Sequence, residues 1–312
     1  MEKARRALVV AALTLASCSG QMLPASTPTT EVTALRIYVT TPLIPLINTL
    51  TAAYSRVNSA VVFEVNTGNY EAMVDQVLLH DDAYLLTNYL PPEELGPMIA
   101  LPIGQDGIAV IVHPANVVGN LTVARLRSIY QGWINNWAEL GGADLPITVI
   151  SREDGSGTRL VFENLVMGDR RTTTTAQIAP SSAAVVTSVA RTPGAIGYVS
   201  MSYLNSSVYP LRIENVAPTL ENVANNAYPL RALVYFAGLQ EPETHFRNFI
   251  GWAQSPDGQA VIAQNYAPLL NEDVRPGGRR GGAPPPPPGG GGGGPPPKPP
   301  VDHGERSQRP RP

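Results

Sequence analysis

Residues 152–158 read Arg-Glu-Asp-Gly-Ser-Gly-Thr, which sets a guanidinium, two carboxylates, two glycines and two hydroxyls side by side. Such a cluster cannot be core. The six residues before Ser151, LPITVI at 145–150, read as a buried strand, and Leu160, Val161, Phe162 and Leu165 read as one apolar helix face. The polar residues therefore fall on a strand-to-helix turn. The first N–H groups of a helix have no partner within it, and the helix dipole is positive there. Glycines 155 and 157 let backbone approach a ligand, and Ser156 and Thr158 add hydroxyl donors. Arg152 adds a planar, permanently charged fork that matches an oxyanion. The chemistry these types support is anion capture without a metal. A capped helix with an Arg152–Asp154 surface ion pair would need one hydroxyl or carboxylate, and the loop offers far more.

Other chemistries find little support. The four histidines (His80, His113, His245, His303) are far apart and have no ligand-like neighbour at metal spacing. There is no phosphate-cradling Walker loop, no dinucleotide G-x-G-x-x-G and no G-x-S-x-G elbow. No cofactor is expected. The chain carries a formal −3 while residues 1–17 and 275–312 are both basic, so the part between them is more acidic than the whole. That balance argues against nucleic acid as a partner. It also means that an anion must be held by local donors, not by the overall field.

The elements that would position the loop alternate. Residues 34–42 read as a strand running into a loop, 43–58 as a helix, 60–69 as a strand and 70–80 as a helix. A third strand begins at Ala83, and 106–114 is a continuous apolar run suited to a buried strand. Residues 122–142 read as a helix with a glycine stop. Alternation of this kind implies an α/β sheet, whose ligands sit at loops beyond the C-terminal ends of strands. The polar strand ends at Thr40–Thr41, Asn66–Asn69 and Thr87–Asn88 are therefore further candidates.

Both ends differ from the middle. Residues 1–17 have a basic start and a short apolar run, the form of a secretory signal and too short to span a bilayer. Leu15-Ala-Ser-Cys18 resembles a bacterial lipobox, and Cys18 is the only cysteine. A diacylated Cys18 would supply more than one lipid chain, enough for a stable anchor. Residues 18–33 then form a spacer. Residues 274–312 are dominated by proline and glycine runs and are expected to be disordered.

With these segments in view, the chain resembles the phosphate-binding proteins that serve bacterial phosphate ABC transporters. The segments SREDGSGTRLVFE, RTPGAIGYVS, IGQDGIAVIVHP, LRSIYQGWINNWAELGG, YPLRALVYF and SPDGQAVIAQNYAPL resemble that family's segments, and they span about 35–270. The resemblance implies a two-lobed type II periplasmic binding protein fold with an interlobe cleft. Residues 34–112 and 232–273 would form the first lobe and 113–231 the second. It places Arg152, Ser156, Gly157 and Thr158 on the anion, with Asp154 as the acid that holds the arginine. The first lobe matches less well. Thr40 and Thr41 are kept but are followed by Pro42, which has no N–H; Asn69 stands for a binding serine, and Thr87-Asn88 for the third loop. Each of these residues also has an ordinary reading, as a strand-end or turn residue. Where the family places an acid that accepts the proton of phosphate, Asn88 is an amide that can donate or accept. Weaker discrimination against sulfate is expected from it.

The function implied is that of an extracytoplasmic, lipid-anchored solute-binding protein. It would capture inorganic phosphate or a related oxyanion and deliver it to a membrane permease. A non-transport envelope or sensory module with a weakened site is the alternative. An enzyme with Ser156 as nucleophile lacks a base or metal cluster in the sequence.

Overall fold

The computed structural model describes residues 32–91, 96 and 98–269. The signal, Cys18, most of the spacer and the proline-glycine tail lie outside the described residues.

The chain begins with β1 (Thr33–Thr40), α1 (Ile44–Val57), β2 (Val61–Gly68), α2 (Tyr70–Leu79) and β3 (Tyr84–Thr87). It continues through β4 (Ile99–Val112), β5 (Asn120–Leu121), α3 (Val123–Tyr130), β6 (Thr148–Arg152) and α4 (Gly157–Phe162). Then follow β7 (Gln177–Ala179), α5 (Ser182–Arg191), β8 (Ala195–Ser200), β9 (Tyr209–Pro210), β10 (Arg212–Ile213) and α6 (Leu220–Ala224). β11 (Arg231–Gly238), α7 (Thr244–Gln254) and α8 (Pro256–Ile262) close the described part. The main sheet runs β2-β1-β3-β11-β4-β8-β6-β7, with β9 beside β4. β1 pairs in parallel with β2 and β3, and β6 in parallel with β7 and β8. β4 and β11 are antiparallel partners.

Among the described residues three hydrophobic clusters pack on this sheet, the third, with Tyr38, Tyr70, Met73, Val77 and Leu85, on the opposite face of β1 from the first. Ile37, Val39, Leu46, Leu50, Phe236 and Phe249 belong to the first, Ile129, Trp137, Phe162, Val185, Ile196 and Tyr198 to the second. β4 serves both: it pairs with β11 through Gly107 and with β8 from Ile108. The expectation set all of 34–112 in the first lobe. Residues 108–112 instead pack in the second core, so the hand-over comes at Asp106–Gly107. The strand is also longer than the apolar run at 106–114, because 99–105 pairs with β11.

The helix expected over 122–142 is broken. α3 ends at Tyr130, Gly132 takes φ +78°, and a short 3-10 turn (Trp137–Leu140) follows, stopped by Gly141 at φ +81°. Its start is a capping box between Asn136 and Glu139. The break lets Trp137 enter the second core, where its Nε1 donates to Gly194 O at 3.0 Å, while Trp133 stays exposed. A continuous helix would have left both indoles on one face.

Candidate anion-binding site

β6 carries the chain into the loop. Ser151 and Arg152 are its last residues, and the hydroxyl of Tyr198 from neighbouring β8 lies 2.9 Å from Ser151 Oγ and accepts from Arg152 N at 3.3 Å. Tyr198 is itself fixed by Phe162, stacked with centroids 4.0 Å apart and planes within 4°. Gly155 takes φ +74°, a conformation open to glycine, and α4 starts at Gly157. Ser156 is the N-cap residue, yet its hydroxyl makes no capping bond.

Arg152 is completely buried. Its Nε and Nη2 donate to the two oxygens of Glu153, each at 2.7 Å, and its Nη1 donates to Ser182 Oγ at 2.9 Å. Nη2 also reaches Thr41 Oγ1, at a long 3.4 Å. The carboxylate that holds the arginine is therefore Glu153, and the role expected of Asp154 is corrected. The Asp154 side chain is 94% exposed and pairs with Arg159 on the rim. Arg159 also donates to Glu163 and to the Arg152 carbonyl, which braces the outside of the loop. Burial pulls the Glu153 carboxyl up, but the bonds and charge of Arg152, with help from Arg159, outweigh it and hold it below its ordinary value.

Among the described residues, five buried side-chain polar atoms lack a hydrogen-bond partner: Asn88 Oδ1, Gln131 Oε1, Ser156 Oγ, Thr158 Oγ1 and His245 Nδ1. Two of them belong to this loop, and Asn88 Oδ1 faces it from the first core. A Cβ at Gly157 would sit 3.2 Å from Asn88 Oδ1 and 3.5 Å from both Pro42 Cγ and Thr40 Cβ. Buried polar groups are ordinarily paired, and leaving one unpaired costs about 1–3 kcal/mol. Two such hydroxyls on the loop that carries a buried guanidinium, with an amide oxygen against Gly157, form an arrangement suited to an oxyanion, whose oxygens can accept from hydroxyls and whose proton can be donated to the amide oxygen.

The two halves meet around the loop. Tyr70 N donates to Gly155 O at 2.7 Å, and Tyr203 OH donates to Thr41 O at 3.2 Å. Tyr266 OH lies 2.9 Å from Pro42 O and 3.0 Å from Ser202 Oγ. The residues expected in the first lobe divide in their roles. Thr41 and Asn88 face the loop. Thr40 is buried against Gly157 but donates to Leu86 O at 3.3 Å, bridging β1 and β3. Asn69 lies beside Gly155 and caps α2, its Oδ1 accepting from Ala72 N at 2.8 Å. Thr87 is taken up by its own turn, donating to Tyr89 O and accepting from Tyr89 N.

Sequence reasoning missed three participants. Glu153 and Ser182 hold Arg152, and Asp106 sits beneath Asn88, accepting from Asn88 Nδ2 at 2.9 Å and from Ser200 Oγ at 2.7 Å. The available signal for Asp106 was an acid opening a buried apolar run. Burial pushes its carboxyl up to about 7, against bonds from Ser200, Asn88 and the Gly107 backbone. No group of three or more His, Cys, Asp or Glu among the described residues could hold a metal, and no described helix is long and apolar enough to cross a membrane.

Residues 24–257 match the family model of the PBP superfamily domain. A phosphate-binding protein PstS of Bacillus subtilis is 36% identical over 171 residues, covering 54% of this chain and 57% of that protein. A PstS 2 of Streptococcus agalactiae is 35% identical over 138 residues, covering 40% of this chain. The chain thus spans about half the length of these curated relatives, 57% and 46%. Among solved structures, one from Clostridium perfringens is described as a phosphate ABC transporter substrate-binding protein with bound phosphate. It superposes with a TM-score of 0.71 at 31% identity, covering 76% of this chain and all of that one. An ABC-type phosphate transport receptor from Vibrio cholerae gives 0.66 at 26% identity, covering 75% and 99%.

Proposed function

Since the chain belongs to the PBP superfamily, we propose that it is an extracytoplasmic solute-binding protein that captures phosphate and delivers it to the permease of an ABC transporter. One observation carries the reading: a fully buried arginine shares its loop with two unpartnered buried hydroxyls, and an unpartnered amide oxygen faces them. The named similarity to phosphate-binding proteins, one with phosphate bound, supports the choice of anion. Arg152 supplies the charge. Its hydrogen bonds to Glu153, Ser182 and Thr41 number four of the five its N–H groups can make, and the Thr41 bond is the weakest. An anion would take the remaining Nη1 donor and displace Thr41. Ser156 and Thr158 would donate to further oxygens, and Asn88 Oδ1 would accept from a protonated one. Thr40, Thr41 and Asn69 shape the facing wall, and Thr87 holds the turn that presents Asn88.

The protein performs no chemistry on its ligand in this reading. Ser156 Oγ has no hydrogen-bond partner and hence no base poised to activate it. Lipid attachment at Cys18 would keep the domain at the outer face of the cytoplasmic membrane.

A non-transport envelope or sensory role is favoured by one observation: Thr40, Asn69 and Thr87 are already satisfied within their own lobe. Titration calorimetry with sodium phosphate tests both. Saturable binding at one site supports capture for transport. Binding that is absent at millimolar phosphate overturns it.

A further inference from the structure

Asn88 meets two different environments. Its Nδ2 donates to Asp106 Oδ2 at 2.9 Å, while its Oδ1 has no partner and lies against Gly157, between Ser156 and Thr158. An ionised carboxylate only accepts, so it draws the NH2 end of the amide and turns the carbonyl end away. Asp106 is in turn held on its other oxygen by Ser200 Oγ at 2.7 Å, and it is buried at the point where β4 passes from one core to the other. Building on the anion-capture reading, we propose that Asp106 is the positioning residue for selectivity. Without touching the anion, it orients the Asn88 amide so that position 88 is a hydrogen-bond acceptor, and the site prefers an oxyanion that still carries a proton.

The consequence reverses the expectation from sequence. An amide free to turn would accommodate sulfate by donating to it. An amide pinned by Asp106 presents only an oxygen, which repels an anion with nothing to donate, and the carboxylate behind it adds a like charge. Both effects last only while Asp106 is ionised. Once protonated, Asp106 can donate to Asn88 Oδ1, and the amide can turn its NH2 toward the loop. Burial raises the carboxyl to about 7, which places this exchange near neutrality. The groups facing Asp106 are the Asn88 amide, Ser200 and the Gly107 backbone. The hydroxyls of Tyr203 and Tyr266 feel its charge, and burial keeps both protonated across this range. Arg152 is the cation whose charge Tyr203 also feels.

The test is titration calorimetry of the full chain with sodium sulfate and sodium phosphate in a chloride background, at pH 5.5 and 8.5. Sulfate does not titrate in this range, so its affinity reports on the protein. In the wild type, sulfate affinity should rise by about tenfold or more from pH 8.5 to 5.5, the worth of one charge-assisted bond exchanged for a repulsion. Asp106→Asn should bind sulfate at pH 8.5 nearly as the wild type does at pH 5.5, and its profile should be flat. In Asn88→Ala, adding Asp106→Asn should change selectivity by clearly less than the same change does in the wild-type background, since the amide that Asp106 acts through is gone and only its charge remains. A wild type that binds phosphate, with a sulfate profile no steeper than that of Asp106→Asn, overturns this inference and leaves anion capture standing. A wild type that does not bind phosphate overturns both. If Asp106→Asn does not fold, a wild-type sulfate affinity equal at the two pH values is itself sufficient to overturn the proposal.

Discussion

Replacing Arg152 by alanine separates binding from folding if it is paired with a change on the other side of the same ion pair. Arg152→Ala removes the one buried guanidinium of the loop, with its bonds to Glu153, Ser182 and Thr41. A hydrogen bond to a charged group contributes about 1.5–3 kcal/mol, so phosphate affinity should fall roughly tenfold to over a hundredfold. The fold also suffers. Breaking a fully buried pair from one side costs about 3–5 kcal/mol. The Glu153 side chain is 32% exposed and can hydrate when abandoned, which brings the expected cost down to about 2–3 kcal/mol. For a domain of this size that corresponds to a melting temperature lower by roughly 4–12 °C. Glu153→Gln weakens the same pair but keeps the guanidinium and its charge. It should lower stability by a comparable amount while holding phosphate affinity within about threefold of wild type. Calorimetric titration at a temperature where all three proteins are folded reads the affinities, and scanning calorimetry reads the stabilities. Arg152→Ala binding within twofold of wild type would refute the assignment of the charge. Equal affinity loss in both variants would show that the loop's order, not the guanidinium, is what the ligand requires.

Gly157→Ala places a methyl group 3.2 Å from Asn88 Oδ1 and 3.5 Å from Pro42 and Thr40 across the cleft. Overpacking of about 1–3 kcal/mol in the closed form should lower phosphate affinity roughly fivefold to a hundredfold, read by calorimetry, with little change in melting temperature. The Glu153 carboxyl is held below its ordinary value, so its contribution to stability is present above that value and is lost as pH falls through the lowered one. Thermal scans from pH 7 to 3 should therefore show a steeper acid loss in wild type than in Glu153→Gln, and identical slopes would count against the pair. Truncation after Asp273 should leave affinity and melting temperature unchanged within error, and a fall in either would mean that the tail packs on a lobe. Cys18→Ala should release the protein from the membrane fraction or leave it unprocessed; unchanged attachment would exclude lipidation there.

The loop at 152–158 was legible because its chemistry is local: residue types and spacing alone require polar groups at a strand-to-helix turn. Strand and helix periodicity likewise placed β1, α1, β2 and α2 close to where they lie. What escaped depends on distance along the chain. Glu153 and Asp154 are adjacent, and only the direction in which β6 presents its last residues decides which of them meets Arg152. Asp106 meets Asn88 from 18 positions along the chain and is itself held by Ser200 from 94 positions further on, which no periodicity encodes. Trp133 and Trp137 had helical spacing, but Gly132 and the Asn136–Glu139 capping box turned one outward and the other into the core.

The bond from Tyr70 N to Gly155 O joins main chain to main chain across the cleft. A clasp of that kind is indifferent to the side chains that carry it. The clasp itself survives substitution at 69, 70 or 87 as long as residue 70 keeps its N–H and the backbone keeps its course, which asks for a cap at 69 and a buried side chain at 70. Proline at 70 is the one coded residue that would delete the donor outright. Divergence of the first-lobe loops and conservation of closure are thus compatible. A drifted sequence on that side says less about whether the halves can grip than about which ligand they grip.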